Sequence, residues 1–291
     1  MIAEGPLTTS IQDRCLNAEG LSIAEIAASA ATVMQQYRIC LISSFPIDPD
    51  LYLDFLNRFG TPLPNYSSLS ELDKDEPHPQ LNRVKYKRKS TDAKHSDHYA
   101  SGELRPHSAR SWCAPRPRYF SMLMVDGGWR DTAPGESAES VIVQWKYLFT
   151  QLAKRDGSVF AEHFARLSGT PVSFQANNVR EEVAETPLIY ELEDSHGPYD
   201  VGVRLKQDLQ EKIEGIRDQL SDFDCYRTSL DYLVRATCDP SLQYCFLLDR
   251  GNLLLIDNNR FAHGRRHMIG ERLIDGRSVT NPRELWSVSV R

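Results

Sequence analysis

Apolar and polar positions along this chain switch between a helical and an alternating period, and the switches mark its elements. From Ile23 to Tyr37 apolar residues recur every three to four positions on an alanine-rich background. Ser22-Ile-Ala-Glu25 sets an N-cap serine three residues before a glutamate, so the pattern predicts an amphipathic helix opened by a capping box. A short strand is expected over residues 38–42. A second helix starts at Asp48-Pro49-Asp50, runs through Leu51, Phe55 and Leu56, and stops at Phe59-Gly60 with Pro62 beyond. Residues 67–80 are polar and acidic and read as a loop; residues 84–89 alternate weakly. Residues 90–118, rich in His, Arg and Pro, read as a long loop around a site. Residues 119–125 predict a buried strand. Residues 140–152 predict a helix with Val141, Trp145, Leu148 and Leu152 on one face. Further helices are expected over 158–167, 209–220 and 221–236, the last capped by Ser221 or Asp222. Strands are expected over 187–192 and 199–205 about a turn at Ser195-His-Gly-Pro198. Residues 244–248 and 253–256 read as a β-hairpin across Asp249-Arg-Gly-Asn252, and 286–290 as a terminal strand. Strands at both ends of a helix-rich middle predict one domain built on a β-sandwich or barrel.

Bulk composition narrows the classes. At 291 residues the chain is long enough for a sizeable core, and 41% hydrophobic with 25% charged residues is ordinary for a globular protein. A formal net charge of −6 and a pI near 5.8 argue against binding a nucleic-acid polymer. No apolar run approaches the roughly 18–20 residues that span a bilayer. Met1-Ile-Ala-Glu-Gly-Pro6 has neither the basic start nor the apolar stretch of a signal peptide, so a cytoplasmic location is expected. The six cysteines form no C-x-x-C pair, which argues against thiolate-held zinc or iron–sulfur centres; most are expected to be small buried apolar residues.

The chemistry gathers in two places. One is Leu104-Arg-Pro-His107-Ser-Ala109-Arg-Ser-Trp112, followed by Pro117-Arg-Tyr119 and the buried strand. The other is Gly251-Asn-Leu-Leu-Leu-Ile-Asp-Asn-Asn-Arg260-Phe-Ala-His263-Gly-Arg. Together they resemble the iron(II)/2-oxoglutarate oxygenases of the taurine dioxygenase and clavaminate synthase group, with the spacing of its arginine-hydroxylase branch. Phe59-Gly60-Thr-Pro62 matches the same group, and the likeness covers most of the chain apart from roughly 155–240. The resemblance implies an α+β fold: a double-stranded β-helix (jelly roll) with flanking helices, as a single domain over 1–291. A lid or insertion is expected around 64–106 and a helical insertion around 205–240. It implies iron bound by His107 and His263. It implies 2-oxoglutarate held by Ser140, in place of the group's helix-opening Thr, and by Arg283 before the last strand. Arg283 lies further from His263 than is usual, which leaves Arg277 as a fallback. Neutral imidazoles suit iron, and an arginine grips a carboxylate through two parallel hydrogen bonds.

Ala109 stands where the group carries its metal-binding Asp or Glu. A methyl group cannot bind iron, so the position is open to a small anion. The resemblance here is to the group's halogenases, which carry Ala or Gly at this point. It implies chloride as a further ligand, O₂ as co-substrate, oxidative decarboxylation of 2-oxoglutarate, and chlorination of an unactivated C–H bond in a biosynthetic reaction. A rival motif, His95-Ser-Asp97, has the acid but lies twelve residues further upstream; with it the chain would be a hydroxylase. A third reading is a cupin-like binding protein that has lost its iron, against which the retention of both histidines, Ser140 and Arg283 argues. Substrate contacts are expected from Lys87 and Arg88 in a basic run, and from Trp112 and Arg204. The substrate class is a small polar anionic metabolite, an amino acid or a nucleotide, free or on a carrier protein. A solvated edge strand blunted by lysines explains the basic run equally well.

Overall fold

The computed structural model describes residues 14–65, 77–87, 101–113, 115–173, 185–206 and 209–291. Among them are sixteen strands and six α-helices, numbered in chain order. The larger sheet has the order β1 (Cys15–Asn17), β2 (Ile39–Ser43), β12 (Leu253–Asp257), β5 (Tyr119–Asp126), β16 (Glu284–Val290) and β3 (Asn82–Lys85). The smaller has the order β11 (Tyr244–Phe246), β6 (Ser140–Gln144), β13 (Phe261–Arg265) and β4 (Leu104–His107). Three two-stranded ribbons complete the set: β7 (Pro171–Ser173) with β8 (Glu185–Pro187), β9 (Ile189–Glu191) with β10 (Val201–Val203), and β14 (Glu271–Ile274) with β15 (Arg277–Thr280).

Strand parity shows how the two main sheets face each other. On β5, Phe120, Met122 and Met124 share an apolar cluster with Ile142 of β6, Phe261 of β13, Leu254 and Ile256 of β12, and Leu285 of β16. These side chains fill the space between the sheets. The opposite faces are covered by helices. Helices α1 (Ile23–Tyr37) and α2 (Pro49–Asn57) pack on the larger sheet through Ile26, Ala30, Met34, Tyr52 and Phe55, against Leu253, Leu255, Trp286 and Val288. Helices α3 (Trp145–Asp156), α4 (Ser158–Gly169), α5 (Leu209–Lys212) and α6 (Phe223–Thr237) form a second apolar layer that takes in Val143 and Ala262 from the smaller sheet. The fold is α+β, a double-stranded β-helix with flanking helices.

The first helix matches its sequence expectation residue for residue. The Ser22 hydroxyl accepts from the Glu25 N–H, and Glu25 reaches back to the Ser22 N–H at 2.8 Å. The cap of α6 is Asp222, accepting from the Cys225 N–H. Three expectations fail. Residues 140–144 are a strand, and the helix begins only at Trp145: the β-branched run Val141-Ile142-Val143 sits centrally between β11 and β13, where both its faces are buried. Residues 244–248 and 253–256 do not pair as a hairpin. Their connection crosses between sheets, taking β11 to β6 and β12 to β2 and β5. Four of the six cysteines are exposed; only Cys40 and Cys113 are buried. The expected lid around 64–106 lies largely outside the described residues, as does the motif His95-Ser-Asp97. The expected insertion around 205–240 contains α5, a 3-10 segment (Ile213–Gln219) and α6. No helix among the described residues is long and apolar enough to cross a membrane.

Candidate metal and co-substrate site

His107 and His263, 156 positions apart in sequence, are cross-strand partners on β4 and β13. Their ring centroids are 4.4 Å apart. The strands come this close because residue 264 is glycine: a Cβ there would stand 2.5 Å from the Leu104 carbonyl oxygen, a backbone atom that has no room to retreat. Phe120, projecting from the opposite sheet, stacks on the His263 ring at 4.1 Å, which fixes that imidazole inside the sandwich. The His107 Nδ1 lies 2.9 Å from the Arg105 carbonyl oxygen. A carbonyl only accepts, so Nδ1 carries the hydrogen and Nε2 keeps its lone pair for a metal. Among the described residues no third His, Cys, Asp or Glu joins these two to make a metal-holding group.

Ala109 follows at once, 9% exposed and in the apolar cluster with Phe120, Ile142 and Phe261. Its peptide is clamped by Asn258. The Asn258 Oδ1 accepts from the Ala109 N–H at 2.8 Å, while Nδ2 donates to the Ala109 carbonyl at 2.9 Å and to the Pro117 carbonyl at 3.1 Å. The backbone that would present a carboxylate is therefore held as firmly as a strand, with a methyl group at the end of it.

Alternation puts His263 and Arg265 on one face of β13, and the partners Ile142 and Ser140 on the same face of β6. Ser140 thus lies on the face that carries His263, as a strand residue rather than the helix opener that the resemblance implies. Arg283 lies just before β16, is 5% exposed, and its Nε has no hydrogen-bond partner among the described residues. Burial first, then the positive charges of Arg265 and Arg130, push its guanidinium down to about 9. Arg265, which donates to the Gly102 carbonyl at 2.8 Å, is pushed down to about 10 by burial. Two enclosed cations of like sign make a place that an anion relieves. Arg277, the fallback, stands exposed on β15. The ribbon β14–β15 between β13 and β16 accounts for the long interval between His263 and Arg283.

The expected substrate contacts do not converge on the histidines in the same way. Lys87 is exposed just beyond the edge strand β3, and Arg88 lies outside the described residues. Trp112 is buried in the helical cluster. Arg204 is fully enclosed and donates to the carbonyls of Val172, at 2.8 Å, and of Thr186.

Sequence reasoning missed Arg265 and the turn Asp257-Asn258-Asn259-Arg260. Each side chain of that turn has its own buried duty. Asp257 accepts from Arg260 at 3.0 Å, Asn258 clamps Ala109, Asn259 accepts from the Tyr190 hydroxyl at 2.7 Å, and Arg260 pairs with Asp194 at 2.8 Å and Asp200 at 3.0 Å. The available signal was four polar residues in a row between the apolar runs Leu253-Leu-Leu-Ile256 and Phe261-Ala262.

The fold has solved relatives. An asparagine oxygenase with Fe(II), 2S,3S-3-hydroxyasparagine and succinate is similar at a TM-score of 0.61 and 12% identity, over 92% of this chain and 79% of that one. The non-heme iron oxygenase OrfP with Fe and alpha-ketoglutaric acid gives 0.56 and 15%, over 92% and 79%. A putative alpha-ketoglutarate-dependent taurine dioxygenase from Burkholderia xenovorans gives 0.56 and 11%, over 94% and 84%. Comparison with curated proteins yields no match. The family model described as taurine catabolism dioxygenase TauD, TfdA family matches residues 6–280, nearly the whole chain, which therefore belongs to the TauD, TfdA family of iron(II)/2-oxoglutarate-dependent dioxygenases.

Proposed function

We propose that this dioxygenase-family chain functionalises an unactivated C–H bond of a small polar, anionic metabolite, and that Ala109 directs the outcome to halogenation. The residues present fit iron and 2-oxoglutarate: two imidazoles on adjacent strands, and a buried Arg283 whose Nε has no partner among the described residues. When bound, iron(II) with 2-oxoglutarate and O₂ supplies the oxidation that removes a substrate hydrogen. His107 and His263 hold the metal. Arg283 takes the carboxylate end of 2-oxoglutarate through its planar fork, and Ser140 offers a hydroxyl beside it. Among the described residues the polypeptide around the two histidines contributes no negative charge: histidine binds a metal as neutral imidazole, Ala109 stands where the acid is expected, and Arg265 and Arg283 add positive charge.

The observation that carries the halide reading is Ala109 itself. Its peptide is fixed by Asn258 in the position of a ligand residue, yet its side chain offers no donor atom, which leaves the metal one protein ligand short and able to take an anion such as chloride. A second reading, hydroxylation, is favoured by the comparisons. An asparagine oxygenase structure and two structures of the oxygenase OrfP, all similar in fold, contain a hydroxylated amino acid. Hydroxylation would take its acid from Asp97.

Product mass spectrometry with chloride, then bromide, separates the two. A mass gain that follows the halide supports halogenation; a gain of one oxygen regardless of halide overturns it. Ala109→Asp adds a check, since it should abolish halide transfer, whereas a site using Asp97 would be nearly indifferent. Anaerobic Fe(II) with 2-oxoglutarate should give a weak visible charge-transfer band, and its absence would favour a binding protein without iron.

A further inference from the structure

The segment from Leu104 to Tyr119 carries four arginines besides its histidine, and three of them have clear employment. Arg105 pairs with Glu211 at 3.3 Å, Arg110 donates to the Pro64 carbonyl, and Arg118 pairs with Asp194 at 3.6 Å. Arg116 is different. Its guanidinium lies 3.6 Å from the centre of the Tyr190 ring, and the charges acting on it are those of Arg204, of like sign, and Cys113. Among the described residues no carboxylate ion-pairs with it. Burial, then Arg204, hold the Arg116 guanidinium well below its ordinary range, so its charged form is poorly solvated where it stands.

The surroundings of Arg116 are built rather than incidental. The Tyr190 ring is fixed at one end by its hydroxyl, which donates to Asn259 Oδ1 at 2.7 Å. It lies flat over Gly202, its partner across β9 and β10, where a Cβ would come within 2.0 Å of the ring. Arg204 follows Gly202 by two residues and is anchored on the Val172 and Thr186 carbonyls, which fixes its positive charge within electrostatic reach of Arg116. Arg116 also has a fixed relation to the candidate metal site. Asn258 Nδ2 reaches both the Ala109 and the Pro117 carbonyls, which ties the residue before Pro117 to the open position at Ala109.

We propose that Arg116, floored by Tyr190 and neighboured by Arg204, is an oxyanion subsite that holds the carboxylate or phosphate of the substrate. Arg116 makes the contact; Arg204 is a positioning residue that keeps the pocket positive. This rests on the proposed function for its meaning, but it is testable apart from it. Lys87 and Arg88, the basic residues singled out from sequence, take no part in it.

The test uses the full chain with saturating 2-oxoglutarate, so that Arg283 is occupied, in chloride-free buffer. Inorganic phosphate and, separately, acetate are titrated by calorimetry and by thermal shift. The wild type should bind at least one of them. Arg116→Gln should weaken that binding about tenfold or more while leaving 2-oxoglutarate affinity within about twofold, because a charge-assisted fork is lost at one site only. Arg116→Lys keeps the charge without the fork, should fall between the two, and serves if the glutamine variant does not fold. Binding of phosphate alone points to a phosphorylated substrate, and binding of acetate as well to a carboxylate. No binding of either by the wild type, or equal binding by wild type and variants, overturns the subsite. Loss of thermal stability in Arg116→Gln with an unchanged response to anion would show that the stacking is structural only. The iron–2-oxoglutarate band is recorded alongside: phosphate binding that depends on Arg116 without that band would keep the subsite and remove the iron reading.

Discussion

Replacing Asn258 with alanine tests how firmly the open position is held. The Asn258 side chain, 1% exposed, makes three hydrogen bonds of 2.8, 2.9 and 3.1 Å to the Ala109 N–H, the Ala109 carbonyl and the Pro117 carbonyl. Removing it leaves one buried donor and two buried acceptors, each costing about 1–3 kcal/mol when left unsatisfied. The space vacated by a carboxamide is about that of one water molecule, roughly 30 Å³, and a water entering it would restore part of the loss. The expected net destabilisation is about 3–5 kcal/mol, a large share of the roughly 5–15 kcal/mol that keeps a domain folded. Urea unfolding followed by tryptophan fluorescence measures it, and the intensity of the Fe(II)–2-oxoglutarate band reports whether the site keeps its shape. Asn258→Asp is the informative control. It retains an acceptor for the Ala109 N–H but turns both donated bonds into contacts between a carboxylate and two carbonyls, so it should cost no less than alanine. A loss below about 1 kcal/mol for Asn258→Ala, or a milder effect from Asp than from Ala, would refute the clamp.

Other substitutions probe the same architecture. Gly264→Ala forces a Cβ to within 2.5 Å of the Leu104 carbonyl oxygen; far-ultraviolet circular dichroism should change little while the iron–2-oxoglutarate band is lost, because β4 and β13 can no longer bring the histidines together. Arg283→Lys should weaken 2-oxoglutarate at least about tenfold by calorimetry, since an ammonium cannot offer two parallel donors; unchanged affinity would remove Arg283 from the co-substrate site. Arg260→Ala strands Asp257 and Asp200 in the interior and should cost about 3–5 kcal/mol at pH 7. Burial already holds the Asp257 carboxyl above its ordinary range against the pull of Arg260. With the guanidinium gone its folded-state pKa rises further, and a raised folded pKa gives stability that is present at low pH and lost as pH rises through it. The gap between variant and wild type should therefore narrow from pH 7 to pH 5 in thermal unfolding; a gap that widens would contradict the assignment.

What could be read from the sequence depended on whether a residue's role is local. The cap of α1 is complete within Ser22 and Glu25, and its geometry follows from four consecutive residues. The run 141–143 is not local in this sense. Val141, Trp145, Leu148 and Leu152 fit a helical stripe, while Val141-Ile142-Val143 fits a buried strand, and the choice falls to the strand only because β11 and β13 flank it. The same limit produced the supposed hairpin at 244–256: alternation on both sides of a short turn looks alike whether the two strands pair with each other or turn a corner between two sheets.

The site shows that limit at its sharpest. His107 and His263 could be proposed together because each sits in a run that resembles the family's, and Ser140 because its segment stands for that group's helix-opening Thr. Arg265 needed the strand assignment of residues 261–265 first. Once β13 is known, a residue two positions after His263 must share its face, and its register partner across β6 is Ser140. Arg283 was expected despite its distance from His263, and the ribbon β14–β15 accounts for that distance. Ten residues, 271–280, form an excursion whose ends return to the barrel, so chain length is added without moving the residue that follows. Arg277 lies within the excursion and is exposed. An interval between two ligand residues constrains a site only when the chain between them stays in the sheet; we prefer the buried Arg283, with its unpartnered Nε among the described residues, to the better-spaced but exposed Arg277, because burial describes the residue's surroundings whereas spacing describes the loop.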